Sequence, residues 1–80
     1  MDAIAPRIRE VLIETFELDR ESLPEILDAD GITQWDSVGH LNLMSRLEEA
    51  FGIEIPFSVA VELLSEEAVV SAVARLGERS

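Results

Sequence analysis

The sequence predicts an all-α protein: a small bundle of three longer helices plus one short helix, with a long loop between helices 1 and 2. Three observations carry that expectation. Apolar residues recur three and four positions apart in three separate stretches, which is the period of a helix with one buried face. Only one segment, 57–63, alternates apolar with small or polar residues as a strand would, and a strand with no second one to pair with is not stable. The chain has 80 residues of which 48% are hydrophobic, enough for one core and one domain over 1–80 but too few for a deep catalytic cleft.

Helix 1 is expected over 3–17, where Ile4, Ile8, Val11, Leu12 and Phe16 share a face and Glu10, Glu14 and Glu17 fall on the other. Asp2 stands where an N-cap would, and Pro6 in the first turn loses no hydrogen bond. From Leu18 to Gln34 the period disappears, and this connection is too long to hang free. Leu27, Ile32 and Trp35 are expected to pin it to the helices, with a helical turn at 24–27. The run Asp28-Ala29-Asp30-Gly31 is a turn and not a calcium loop, since Gly31 at the sixth loop position would put Ile26 and Ser37 where acidic ligands are required.

The central helix is expected over 37–51. Around it His40, Leu43, Met44, Leu47 and Phe51 form the buried stripe, while Val38, Asn42, Ser45 and Glu49 lie opposite and Leu41 sits off the edge. Gly52 should end the helix in the left-handed conformation, and Ile53, Ile55 and Pro56 continue as an extended connection. A short third helix follows, capped by Ser58. The last helix starts from Ser65, gains from Glu66 and Glu67 at its positive end, buries Val69, Ala72, Val73 and Leu76, and stops at Gly77.

Seventeen acidic residues against six arginines, with no lysine, give a formal net charge of −11. Such a chain repels nucleic-acid phosphates and anionic lipid, so charged partners should be basic. It has no cysteine and a single histidine, His40, so neither a disulfide nor a multi-histidine or thiolate metal site is expected. No apolar run is long enough to cross a bilayer, and the first residues lack a basic segment followed by an apolar one, so a soluble, monomeric, cytoplasmic protein is expected.

The chemistry is expected at Ser37. Asp36 and Ser37 open the amphipathic central helix, and two outward apolar residues, Val38 and Leu41, stand beside the serine as a small contact surface. On their own Asp36 and Ser37 would be an ordinary helix cap. His40 points to the core side and is expected to be a packed residue and not a base for Ser37, because a triad would also need an acid behind it and an oxyanion pocket.

The triplet Asp36-Ser37-Val38, followed by Leu47-Glu48-Glu49-Ala50-Phe51-Gly52-Ile53-Glu54-Ile55-Pro56, resembles the acyl carrier proteins and the related peptidyl carrier domains over nearly the whole chain. That resemblance implies a carrier and not an enzyme. In that family the serine, here Ser37, bears a 4'-phosphopantetheine arm whose thiol holds cargo as a thioester. It implies that a phosphopantetheinyl transferase, with magnesium in its own site, delivers the arm from coenzyme A, and that Asp36 helps that enzyme orient the serine. A helix N-terminus independently favours the phosphodiester anion. It further implies that acyl-loading and acyl-processing enzymes dock basic patches on Glu48 and Glu49, with Val38 adding an apolar contact. Asn42 and Phe57 stand where acidic residues are common in the family, and with Leu41 they complete the expected partner surface. The form Trp35-Asp36-Ser37-x-Gly39-His40-Leu41-Asn42 looks more like discrete carriers of polyketide, hybrid or surface-polysaccharide pathways. An acyl chain would be sheltered near Leu47, Ile55, Val61 and Leu64. The alternatives are an aminoacyl or peptidyl carrier, a fatty-acid-synthesis carrier, or an unmodified helical module binding through Val38, Leu41 and Phe57.

Overall fold

Four α-helices follow one another among residues 4–78, which the computed structural model describes: α1 (Ile4–Phe16), α2 (Ser37–Phe51), α3 (Phe57–Ala60) and α4 (Glu66–Glu78). Within those residues there is no strand, only an isolated antiparallel bridge between Asp28 and Ser65. The expected all-α bundle is present, with three long helices, one short one and the long connection between α1 and α2. The proposed cap Asp2 lies outside the described residues.

Helix α1 packs against both α2 and α4. It buries Ile8, Leu12, Ile13 and Phe16, while Val11 is only half-buried. It ends one residue earlier than the acidic pattern suggests, because Glu17 adopts a left-handed φ of 54° that lets the Leu18 amide donate to the Ile13 carbonyl at 3.0 Å. Glycine usually fills such a position, and another residue there costs about 1 kcal/mol. Two arginines clamp α1 to its neighbours. Arg9 forms a bidentate pair with Glu66 at the start of α4 (2.9 and 2.8 Å), and Arg7 donates to the Ala50 carbonyl while stacking over the Phe51 ring.

The helical turn in the long connection is a 3-10 turn at Arg20–Ser22 and not at 24–27. Asp19 supplies its cap by accepting from the Glu21 amide, and Leu23, which precedes proline, is held extended and stops it. Beyond Pro24 the backbone is drawn flat onto the α3–α4 connection: the Leu27 carbonyl accepts from the Glu66 amide (2.8 Å), and the Ala29 amide donates to Leu64 (2.9 Å). Leu27, Ile32 and Trp35 are buried, as the pinning argument requires, and the Asp28 carboxylate closes its turn on the Gly31 amide at 2.8 Å.

Helix α2 has the expected bounds. It buries Leu43, Met44 and Leu47, with His40 and Phe51 half-buried at the margins of the stripe, and Gly52 caps it at φ 63°. Helix α3 departs from expectation at its start: Ser58 lies inside it, and Pro56 stands at the cap position, where its carbonyl accepts from Val59 and Ala60 without any side-chain bond. Ser65 does cap α4, its hydroxyl accepting from the Ala68 amide at 3.1 Å. Gly77 does not stop α4, which runs through to Glu78. A glycine terminates a helix only when it takes the left-handed conformation, and among the described glycines only Gly52 has a positive φ.

Candidate functional site at the start of the second helix

The first turn of α2 is built by three residues that leave Ser37 at its head. Asp36, extended at φ −97° and ψ −167°, accepts from the Gly39 amide through Oδ1 at 2.8 Å, while its carbonyl accepts from His40 at 2.8 Å. Gly39 lets the turn seat closely: a Cβ there would collide with the Gln34 carbonyl oxygen and press on the Phe16 ring. Ser37 itself is exposed, with its hydroxyl at the positive end of a helix fifteen residues long.

Beneath that turn Trp35 and His40 form a wall whose polar atoms are paired within the fold. Trp35, 4% exposed, stacks on Phe16 with ring centroids 5.1 Å apart, and its indole N–H donates to His40 Nδ1 at 3.0 Å. An indole can only donate, so Nδ1 must accept and the ring proton sits on Nε2. That nitrogen donates to the Ala60 carbonyl at 2.7 Å, tying α2 to the end of α3. Both imidazole nitrogens are thereby used inside the fold, and His40 is a structural bridge and not a base for Ser37.

Trp35, Asp36, Ser37, His40, Leu41 and Leu64 line an open cleft of about 470 Å³. Of the four side chains expected to shelter an acyl chain, only Leu64 borders it. Leu47 is fully buried in the core, and Val61 is 47% exposed on the surface beyond α3.

The expected partner residues divide. Val38, Leu41, Asn42 and Glu49 are exposed on one face of α2, below Ser37, and Phe57 is exposed on α3. Glu48 is different: it is half-buried, and its Oε2 accepts from the Ile55 amide at 2.7 Å, holding the connection after α2 in place. On the far side of the α2 start, Thr15, Glu17 and Gln34 join Val38 and Asn42 in a second groove, which the helical period could not reveal because it depends on the left-handed turn at Glu17. Among the described residues no group of three or more acidic or histidine side chains could hold a metal ion, and no helix is long and apolar enough to cross a membrane.

No protein-family model matches the chain. It is 32% identical over 79 residues to the acyl carrier protein of Campylobacter concisus strain 13826, an alignment that spans 95% of this chain and 99% of that protein.

Proposed function

Since the chain belongs to the acyl carrier protein family and is therefore a carrier and not a catalyst, we propose that Ser37 bears a 4'-phosphopantetheine arm and that the chain acts as a single, monomeric, cytoplasmic carrier domain. The observation that carries this reading is the placement of Asp36-Ser37: a capped, exposed serine at the head of α2, opening on a cleft of about 470 Å³.

The residues present fit the group. Ser37 offers an accessible hydroxyl for the phosphodiester, and the helix end stabilises the added negative charge. Trp35, His40, Leu41 and Leu64 would hold the arm along an apolar wall whose polar atoms are already paired within the fold. When bound, the arm supplies the thiol on which an acyl group is held as a thioester. Asp36 fixes the turn that presents Ser37 and keeps a carboxylate beside it for the phosphopantetheinyl transferase. The exposed, uncharged side chains Val38, Leu41, Asn42 and Phe57 support a carrier of a specialised polyketide, hybrid or related pathway, served by acyl-loading and acyl-processing enzymes.

Incubation with coenzyme A and a broad-specificity phosphopantetheinyl transferase, followed by intact mass, tests the reading. The native chain should gain one arm and Ser37→Ala none. A native chain that stays unmodified beside a working control carrier would reject the carrier reading, and a gain that survives in Ser37→Ala would reject the site.

A further inference from the structure

The charge of this protein is not where an α2-centred docking surface would need it. On the exposed face of α2, Val38, Leu41, Asn42 and Ser45 are uncharged, and Glu49 is offset by Arg46. The one other acid on that helix, Glu48, has an oxygen committed to the Ile55 amide. By contrast, the end of α1 and the turn after it carry Glu10, Glu14, Glu17, Asp19, Glu21 and Glu25 against Arg20 alone, all exposed. Arg20 is taken by Glu10 at 2.6 to 2.7 Å, and among the described residues neither Glu14 nor Glu17 sits in an ion pair.

The fold brings this acidic end against the working end of α2. Between them lies a groove of about 390 Å³ lined by Thr15, Phe16, Glu17, Gln34, Asp36, Val38, Gly39 and Asn42. Its chemistry is one-sided. Two carboxylates and two side-chain amides offer acceptors, Phe16 and Val38 offer apolar surface, and no cation is present. The Thr15 hydroxyl is buried without a hydrogen-bond partner. Asp36 borders both this groove and the cleft that holds Ser37.

We propose that this α1–α2 groove docks a cationic side chain, best an arginine, of the phosphopantetheinyl transferase that modifies Ser37, the partner that must approach this end of α2. Glu17 receives the guanidinium, with Asp36 as the second carboxylate, and Val38 packs along the aliphatic stem. Arginine suits the groove better than lysine because its planar fork can meet acceptors on both walls at once, and because its weakly hydrated head tolerates the apolar lining. The electrostatic contact is thereby carried by the end of α1 and not by Glu48. The inference rests on the carrier reading above.

The test is kcat/KM for arm transfer from coenzyme A on the full chain, measured for wild type, Glu17→Gln, Glu17→Arg and Glu48→Gln, each with its thermal unfolding recorded. Glutamine keeps shape and an acceptor oxygen in both positions, so Glu48→Gln retains the Ile55 contact. Glu17→Gln is expected to lower kcat/KM about three- to tenfold with unchanged unfolding and a weaker salt dependence, Glu17→Arg more, and Glu48→Gln within about twofold. A modified wild type with Glu17→Gln within twofold of it, or with Glu48→Gln losing as much as Glu17→Gln, would overturn the groove while leaving the carrier reading intact. A wild type that is never modified would overturn both.

Discussion

Adding one methyl group at Gly39 should damage this protein, although the same change in a helix normally helps. Alanine is favoured over glycine in a helix by up to about 1 kcal/mol. At Gly39 the new Cβ would meet the Gln34 carbonyl oxygen, which is backbone and cannot rotate aside, and would stand 3.0 Å from Phe16 Cε1 and 3.3 Å from the Asp36 oxygen that caps the helix. Relief requires the Gln34–Trp35 backbone to withdraw, and Trp35 is buried, stacked and hydrogen-bonded to His40. Overpacking of this kind costs about 1–3 kcal/mol, and disturbing the cap adds about 1 more. After the helix gain the net loss is about 1–3 kcal/mol, a fall in Tm of roughly 5–20 °C at this chain length. Gly77→Ala is the control: nothing lies within 4 Å of its added Cβ, and α4 runs through it, so Tm should rise by a few degrees or hold. Thermal unfolding followed by far-UV circular dichroism reads both. A Gly39→Ala chain as stable as wild type would show that the seat of α2 on the 34–35 backbone is soft and that the steric argument is wrong.

His40→Leu should lose about 1–3 kcal/mol, because it strands the Trp35 indole N–H and removes one of the two donors to the Ala60 carbonyl, which keeps the Leu63 amide; urea titration followed by Trp35 fluorescence measures it, and an unchanged midpoint would mean the bridge is not formed. Asp36→Ala should cost the unmodified chain about 1 kcal/mol through loss of the cap on the Gly39 amide, and a smaller stability loss than a few tenths would separate Asp36 from the helix start. The Arg20 guanidinium, hydrogen-bonded to Glu10, holds that carboxyl below its ordinary value. A depressed folded value means that the contribution is present above the ordinary carboxylate range and disappears as pH falls through the folded one. Glu10→Gln should therefore differ slightly from wild type near neutral pH and converge with it in acid, the gap staying small because the pair is exposed; a gap that widens on acidification would reverse the sign.

Which parts of this fold could be seen in the sequence follows from where the controlling interaction sits. Both ends of α2 are set by residues adjacent to them, Asp36 as a side-chain cap and Gly52 as a left-handed stop, so pattern and structure coincide. The start of α4 is equally local, through Ser65. The end of α1 is not, because the left-handed residue is Glu17 and carries no compositional mark. The turn in the long connection lies at Arg20–Ser22 under its own cap, Asp19, while residues 27–29 are held by backbone partners at Leu64 and Glu66, more than thirty positions away. The same division holds at the site. The place of Asp36 and Ser37 at the head of α2 follows from adjacent residues, whereas the commitment of Glu48 to Ile55 exists only once the chain has turned back at Gly52, and the service of His40 to Ala60 only once α3 is in place.

That bridge bears on how the cleft could change shape. Helix α3 has four residues, of which only Ala60 is buried, and Phe57 is 80% exposed. A helix this short has little cohesion of its own. What fixes its end is the pair of bonds from Trp35 through His40 to the Ala60 carbonyl, together with the Leu63 side chain in the core. Moving α3 away from α2 would therefore break one hydrogen bond to a part-buried histidine while exposing little apolar surface to water, a cost of about 1–2 kcal/mol. Moving α2 itself would unseat Leu43, Met44 and Leu47 at several times that cost. On the proposed attachment at Ser37, cargo that outgrows the cleft should be accommodated by displacement of α3 and of Leu64 beyond it, with α2 and Ser37 held still.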